Sequence, residues 1–231
     1  MFDAAIEADP ENAQAYAWKA CTLGQAMVKG YVDKPMQEIM PEFSNLMSNA
    51  LSIDPNDFEC HRLQCAVNTM MGDMKAALEH GKKAYDVNPN DPRILQQYGE
   101  ILLTTGKTEE GCDLTLLALE YDPIAQGQTN SDKRKSDGVF GCVLDDRPDV
   151  GLDIASGMID RSEKVLVYSA ALAVGSAGSL KNFSWLTDDL KNSDFEQIEA
   201  AIEEMGKFDV VVQSKLKEVF LDHILPLREA A

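Results

Sequence analysis

Apolar residues recur every three or four positions along most of the chain, which is the spacing of one face of an α-helix. Two stretches show this most clearly. The first, residues 58–84, presents Leu63, Val67, Met70, Met71, Met74 and Leu78 on one face. The second presents Leu95, Ile101, Leu102, Leu114, Leu117 and Leu119. These are helical spacings rather than the alternation typical of a strand, so the pattern predicts an all-α protein.

A repeated unit underlies this pattern. Four stretches align: AAIEADPEN (4–12), NALSIDPND (49–57), KAYDVNPND (83–91) and LALEYDPIA (117–125), with their prolines 45, 34 and 34 residues apart. Proline restricts the residue before it and cannot continue a helix, so each Asp-Pro or Asn-Pro marks a helix end. Gly72-Asp73 and Gly106-Lys107 fall at mid-unit, where glycine suits a left-handed helix end. Each unit therefore reads as a first helix (A), a tight turn, a second helix (B) and a proline-marked turn.

This unit resembles the tetratricopeptide repeat. Residues 58–91 and 92–125 match it in length and in the positions of glycine, alanine and proline, and residues 1–57 match it in part. The first spacing exceeds one repeat by 11 residues around 28–40, which we expect to extend the turn or lengthen the second helix. The resemblance implies a right-handed superhelix of stacked antiparallel helix pairs, an α-solenoid. This first region also resembles the repeat region that follows the catalytic domain of some bacterial adenylate cyclases, and helical-repeat regions of winged-helix regulators.

Three regions follow from the pattern: repeats over 1–125, degenerate helical repeats over 126–192 and capping helices over 193–231. A polar loop over 124–138, containing Lys133-Arg134-Lys135, separates the first two, and helices are expected at 138–145, 148–159, 163–176 and 179–191. Residues 2–9 look like the end of a B helix whose A helix is absent. This predicts either that residues precede this segment in a longer protein or that a partner covers it.

The last 39 residues predict two helices. In 193–208 one face is apolar and the other acidic, and the apolar stripe consists of Phe195, Ile198, Ile202 and Met205. A second helix over 209–225 offers Val212, Leu216, Val219, Phe220 and Ile224. Repeat arrays need a terminal cap, which this pair would supply. A dimer or membrane role for the last helix is the alternative.

Composition narrows the class of partner and the compartment. The net charge of −18 disfavours nucleic acid and anionic membrane surfaces, while a basic protein segment or a cationic ligand stays open. The uncharged run of 16 residues from Val165 is short and interrupted for a membrane span and reads as a buried helix. Five cysteines without a Cys-x-x-Cys pair indicate neither a disulfide framework nor a zinc site. With no signal peptide at the start, we expect a reducing, cytoplasmic setting.

Candidate chemical motifs do not withstand inspection. A phosphate-binding loop that ends in Gly106-Lys107-Thr108 would need a glycine at position 101, where Ile101 stands. The segment before Gly106 is also predicted to be a helix rather than a strand. The glycine-rich AVGSAGS (173–179) also lacks a preceding strand. His61 and Cys65 lie one helical turn apart, which fits a shared metal ion or, more simply, helix packing. We therefore predict no catalytic residue, no cofactor and no metal site.

The remaining functional surface is the one that the A helices would form. The resemblance implies that peptides bind in the concave groove lined by these helices. The matching positions are Gln14, Ala17 and Cys21 in the first A helix, Arg62, Ala66 and Thr69 in the second, and Arg93, Gln97 and Glu100 in the third. Arg62 and Arg93 are the candidates to hold a carboxylate, since arginine offers paired donors. The sequence thus predicts a non-catalytic protein-interaction module, with the C-terminal regulatory region of a larger signalling protein as the alternative.

Overall fold

The computed structural model describes residues 1–28, 30–124 and 132–229, and most of these residues are helical. The chain divides into two compact units, residues 1–98 and residues 99–231, and each is described by itself. Within the described ranges no strand occurs, as the sequence predicts.

Residues 1–98 form antiparallel helix pairs joined by short connections. The order along the chain is α1 (Phe2–Ala8), α2 (Ala13–Val28), α3 (Met36–Ile53), α4 (Phe58–Met71), α5 (Met74–Val87) and the first half of α6 (Pro92–Thr104). In the repeat unit, α2, α4 and α6 are the A helices, and α3 and α5 are B helices. The two repeats that follow the template most closely in sequence are confirmed to be helix pairs at the expected positions.

Local chemistry explains where these helices begin and end. Gly72 ends α4 with a φ of 78°, a left-handed conformation that glycine adopts without steric cost. Asp57 caps the start of α4 by accepting a hydrogen bond from the Cys60 N–H at 2.7 Å, and Asp73 caps α5 through the Ala76 N–H at 3.0 Å. Gly106 has a φ of 85° and lies between α6 and the next helix, so the Gly-Lys-Thr sequence is confirmed as a turn.

The 11 extra residues of the first repeat are shared between helices and connection. The helices α2 and α3 have 16 and 18 residues, whereas α4 and α5 have 14 each. The connection between α2 and α3 covers 29–35, of which Lys29 lies outside the described residues, whereas Gly72 and Asp73 alone join α4 to α5. Both expected outcomes, a longer turn and a longer second helix, are therefore present.

One core cluster of residues 1–98 lies between α2, α3 and α4 and combines alanine and cysteine with larger apolar side chains. Its buried members are Ala17, Ala20, Cys21, Phe43, Leu46, Met47, Ala50, Cys60 and Leu63. Alanine at several of these positions allows the helices to approach closely. Charged side chains also lie inside this unit, and they form the candidate site described below.

Residues 99–231 contain the second half of α6 and nine further helical segments among the described residues. These are α7 (Thr108–Tyr121), α8 (Asp132–Leu144), α9 (Pro148–Ser156), α10 (Glu163–Ala177), α11 (Ser184–Lys191), α12 (Phe195–Met205), α13 (Val210–Val219), a π-helical turn (Phe220–Ile224) and α14 (Leu225–Glu229). Two glycines set the approach of α6 to α7. A Cβ atom added at Gly111 would lie 2.7 Å from the Leu103 nitrogen and 2.8 Å from the Gly99 oxygen, so only glycine fits there.

The centre of this unit is α10. Its residues Val165 to Ala173 are all buried, and α8, α9, α12 and α13 pack around it. The first nine residues of the uncharged run that starts at Val165 are therefore confirmed as a buried helix, whereas residues 175–178 are exposed. None of the described helices combines the length and the apolar character that crossing a membrane requires.

The prediction of a polar loop over 124–138 is wrong from residue 132 onward, because α8 begins there. Residues 125–131 of the predicted loop lie outside the described residues. The charged residues that suggested a loop are tied to neighbours instead. Arg134 is buried and pairs with Asp122 at 2.9 Å. Asp132 accepts hydrogen bonds from the backbone N–H groups of Ile159 and Asp160. Because these charges have partners inside the fold, a polar sequence forms a packed helix.

The terminal helices follow the predicted pattern with one difference. The stripe on α12 is buried, and Asp194 caps this helix through the Glu196 N–H at 3.0 Å. The single helix expected over 209–225 is interrupted by the π-helical turn at Phe220–Ile224 and continues as α14. Phe220 and Ile224 are both buried within this turn, so the wider turn keeps two large apolar side chains facing inward.

Candidate functional site

Charged and polar side chains from three A helices meet inside residues 1–98, and the carboxylate of Glu59 is at their centre. The Glu59 side chain is fully buried. Its Oε1 lies 2.5 Å from a terminal nitrogen of Arg62, one turn further along α4, and its Oε2 lies 3.3 Å from a terminal nitrogen of Arg93 on α6. One buried carboxylate therefore joins two arginines that come from successive repeats.

Arg93 has further partners on both sides. Asp91 accepts from its Nε at 3.1 Å and from a terminal nitrogen at 2.6 Å, in a two-pronged ion pair. The guanidinium also lies over the Trp18 ring on α2, 5.2 Å from the ring centroid, in a cation–π contact. About one third of the Arg93 side chain stays exposed, so this group forms the outer edge of the network.

Gln14 links the N-terminal ends of α2 and α4. Its side-chain oxygen accepts from the Trp18 indole N–H at 3.1 Å, and its side-chain nitrogen donates to Asp57. Asp57 also caps α4, so a single carboxylate both starts the helix and holds the neighbouring repeat. We call the set of Gln14, Trp18, Asp57, Glu59, Arg62, Asp91 and Arg93 the polar network.

The electrostatics of the network favour its charged form. Burial opposes charge on Asp91, but hydrogen bonds from Arg93 outweigh it and lower the pKa of Asp91. Burial likewise opposes charge on Arg62, and the hydrogen bond to Glu59 raises the pKa of Arg62 above its usual value. The network holds three carboxylates and two guanidinium groups, so it favours a cationic rather than an anionic neighbour.

The other predicted groove residues fall into two groups. Thr69, Gln97 and Glu100 are half-buried, and the Thr69 hydroxyl donates to the Cys65 carbonyl of its own helix at 2.8 Å. With its amide oriented to satisfy both neighbours, Gln97 donates to the Arg62 carbonyl at 3.2 Å and accepts from the Ala66 N–H at 2.9 Å. Ala17 and Cys21, which the sequence analysis placed toward the groove, are instead buried in the core because α4 packs against α2 at these positions.

An open apolar pocket of about 450 Å³ adjoins the network at Arg62. The C-terminal half of α2, the N-terminal half of α3 and one face of α4 form its walls. Its lining consists of Cys21, Gly24, Gln25, Met27, Ile39, Met40, Phe43, Arg62, Leu63, Ala66, Val67, Met70 and Met71. A concave apolar site of this size falls within the range of small-ligand and side-chain binding pockets.

His61, which lies one helical turn from Cys65, contacts a second histidine, His80. His61 Nδ1 lies 2.9 Å from His80 Nδ1 on α5, and His61 Nε2 lies 3.0 Å from the Pro55 carbonyl oxygen. Burial lowers the pKa of both rings, which favours the neutral forms. Among the described residues, no group of three or more His, Cys, Asp or Glu side chains is arranged to hold a metal ion.

Sequence reasoning did not single out Trp18, Asp57, Glu59, Asp91 or the pocket. One signal was present in the sequence. Glu59 stands three residues before Arg62, and Asp91 stands two residues before Arg93. The first spacing predicts that Arg62 has an acidic neighbour on its own helix, whereas a separation of two residues carries no such prediction for Arg93. The bridge from Glu59 to the next repeat carries no comparable local signal.

Comparison with known proteins identifies the fold. No protein-family model matches the chain, and no curated protein sequence matches it. The structure is similar to YrrB, a tetratricopeptide-repeat protein described as having an unusual peptide-binding site. The TM-score is 0.59 at 14% identity, over 100% of this chain and 97% of that chain.

Two further solved structures are similar. PilF of Pseudomonas aeruginosa aligns with a TM-score of 0.54 at 14% identity, over 89% of this chain and 96% of that chain. A chain of the Cut9–Hcn1 hetero-tetramer of the APC/C aligns with a TM-score of 0.54 at 11% identity, over 94% of this chain and 38% of that chain. At these identities the likeness concerns the fold, and it confirms the tetratricopeptide-repeat fold that the spacing of the prolines predicts.

Proposed function

We propose that this protein is a non-catalytic interaction module that binds a peptide or protein segment along its A helices. The observation that carries the proposal is the polar network itself, because it places partly exposed hydrogen-bonding groups from successive A helices on a preformed, internally braced surface. The fold supports this proposal, since repeat folds present extended surfaces to partners. YrrB, with the same fold, is described as binding a peptide.

The residues proposed to contact the partner are Gln14, Arg62, Thr69, Arg93, Gln97 and Glu100. Within this set Arg93 is the main contact, because about a third of its side chain is exposed and Asp91 and Trp18 hold it in place. Arg62 is only 14% exposed and is paired with Glu59, so it mainly holds that surface together. A ligand carboxylate would have to compete with Asp91 and Glu59 for these arginines, whereas a backbone carbonyl or an amide can share their remaining donors.

The test is a substitution that obstructs the surface without disturbing the network. Thr69→Arg replaces a half-buried hydroxyl whose recorded hydrogen bond is to its own helix, so the ion pairs around Glu59 should persist. Ser214→Arg is the matched control, because the Ser214 hydroxyl makes the same type of bond to the Val210 carbonyl on α13. Partners are captured from cells with the wild-type chain, and the affinity of the purified partner is then measured for all three proteins.

We expect Thr69→Arg to weaken binding at least tenfold, a cost of about 1.4 kcal/mol, and Ser214→Arg to leave it unchanged. Amide hydrogen exchange of the complex should show protection on α2, α4 and α6. Protection confined to residues outside these helices, with full affinity in Thr69→Arg, would contradict the proposal.

A further inference from the structure

The longer helices of the first repeat contribute to the walls of the apolar pocket. Shifting α2 by the 45-residue spacing places Met27 at the position of Gly72, the residue that ends α4 in the next repeat. Here the helix continues, so Met27 extends the pocket wall. On the opposite side, the 34-residue spacing from Pro55 to Pro89 matches Met40 to Met74, the first residue of α5. Ile39 comes before this position and therefore belongs to the extension of α3. The pocket is therefore a feature of this chain's first repeat rather than of the repeat unit.

The chemistry of the pocket selects an uncharged, apolar occupant. Among the described residues that line it, only Arg62 is charged, and its charge is already balanced by the buried carboxylate of Glu59. Four of the lining residues are methionines: Met27, Met40, Met70 and Met71. Methionine is flexible and polarizable, so such a wall adapts to apolar side chains of different shapes. Met70 and Met71 are 62% and 74% exposed, which leaves apolar surface open to a partner at the mouth.

The surroundings of the pocket select the sign of the partner's charge. The chain as a whole carries a net charge of −18. Glu38 and Glu42 are exposed on the same turns of α3 that contribute Ile39, Met40 and Phe43. Of these two, Glu42 contacts Lys19 at 3.3 Å. Exposed glutamates on one wall of an apolar pocket, in a chain of this net charge, complement a basic segment, which they would attract at long range.

From these observations we infer that the pocket is an anchor site for a basic segment of a partner protein that inserts large apolar side chains, such as Leu, Met or Phe. The inference rests on the proposed function and names the chemistry of the bound segment. Apolar anchors in a desolvated pocket supply much of the affinity at protein interfaces, and the flanking charges mainly accelerate association.

The experiment selects binders for the full chain from a displayed library of random linear peptides and then maps where they bind. We expect the selected peptides to share a large apolar residue flanked by lysine or arginine. Their affinity should fall as salt increases, because exposed charge pairs are screened. In methyl spectra of protein labelled at methionine, a selected peptide should shift Met27, Met40, Met70 and Met71, while Met158 and Met205 in the core of residues 99–231 stay in place.

Gly24 allows a matched pair of variants. A Cβ atom at this position lies 3.8 Å from the Phe43 ring, an ordinary contact, so Gly24→Ala fits and serves as the control. Gly24→Leu adds a branched side chain that fills part of the pocket. We expect Gly24→Leu to weaken the selected peptides roughly tenfold or more, about the loss of one strong anchor, and Gly24→Ala to bind them as the wild type does.

A second variant covers the case in which Gly24→Leu does not fold. Met70→Gln combined with Met71→Gln changes two exposed side chains at the mouth and should lower the affinity for the same peptides, whereas Ile159→Gln, 78% exposed elsewhere, should not. Peptides that bind these pocket variants as tightly as the wild type, or that leave the four methionines unshifted, would overturn the anchor site alone. A selection that enriches no peptide at all would overturn the proposed function together with it.

Discussion

Residues 1–98 and residues 99–231 hold their helices together in different ways. The second unit has a core of large aliphatic and aromatic side chains around α10, including Leu172, Ile198 and Leu216, each at most 2% exposed. The first unit has a core rich in alanine and cysteine, a buried ion network beside it and an open pocket. A dense apolar core offers no groups to a binding partner. Partly exposed charges and an open pocket do offer such groups. The proposed function therefore uses the charges and the pocket of the first unit, and the second unit differs from it in its dense apolar core.

Removal of the central charge should have the largest effect on this contrast. In Glu59→Gln, Arg62 keeps a buried charge without its anion, and Arg93 loses one of its two carboxylates. Because breaking a buried ion pair strands a desolvated charge, we expect residues 1–98 to lose about 3 kcal/mol of unfolding free energy. The measurement is denaturant unfolding followed by Trp18 fluorescence in a Trp185→Phe background, since these are the two tryptophans of the chain.

The control for this prediction is Glu79→Gln on α5, which removes an exposed partner of Lys83 and should leave the midpoint unchanged. Replacing Glu59 and Arg62 together by methionine should recover part of the loss, because no charge then stays buried without a partner. Equal stability of Glu59→Gln and the wild type would show that the network does not brace this unit.

A pair of glycine substitutions tests the difference in packing directly. In Gly111→Ala the added carbon would meet backbone atoms of α6 at 2.7 and 2.8 Å, so α6 and α7 must move apart, and we expect a loss of about 1–3 kcal/mol. In Gly24→Ala the nearest atom is 3.8 Å away, and the higher helix propensity of alanine should stabilise by up to about 1 kcal/mol. Thermal unfolding of both variants gives the comparison. A stable Gly111→Ala protein would mean that α6 and α7 are less closely packed than described.

Acidification should affect the first unit through its histidine pair. With Nε2–H of His61 donating to Pro55, the hydrogen bond between the rings requires His61 Nδ1 to accept from His80. The folded state lowers the pKa of both rings, chiefly through burial. Near His61, Lys83 disfavours the charged ring, whereas Asp54 and Asp57 favour it. Near His80, Glu79 favours the charged ring. The unfolded chain therefore binds more protons just below pH about 6.5, so stability falls as pH drops through this value.

The measurement is the free energy of unfolding as a function of pH, again followed through Trp18. His80→Gln removes one titrating ring and should flatten the slope in this window. His223→Gln, which removes a histidine on the π-helical turn, is the matched control. If the slope disappears in His223→Gln and persists in His80→Gln, the pair is not its origin.

Much of the fold follows from the sequence because each signal is local. Each of these signals determines the structure of the few residues around it. They are the prolines at 55, 89 and 123, the left-handed glycines at 72 and 106 and the apolar stripe of α12. The polar stretch that became the start of α8 was mispredicted because its partners lie elsewhere in the chain. Arg134 reaches Asp122, and Asp132 reaches the backbone at Ile159 and Asp160.

The candidate site was predictable in outline only. The repeat pattern indicates which helices pair, and it assigns Arg62 and Arg93 to successive A helices. The pattern does not indicate that Glu59 bridges Arg62 and Arg93, because that contact depends on how two helices pack rather than on any spacing. The pocket was not predictable either. The length of the insertion is visible in the sequence, but its division between α2, the connection and α3 is not.

The smallest effect concerns one hydroxyl in the core of residues 99–231. Tyr168 is 1% exposed, and within the described residues its hydroxyl has no hydrogen-bond partner. Burying a hydroxyl without a partner costs free energy, so Tyr168→Phe should leave stability unchanged or raise it by up to about 1 kcal/mol. Denaturant unfolding followed by Trp185 in a Trp18→Phe background measures this. A clear loss of stability would place a partner, such as a bound water, at that hydroxyl, and the core of this unit would then resemble the polar interior of residues 1–98 more closely than its side chains indicate.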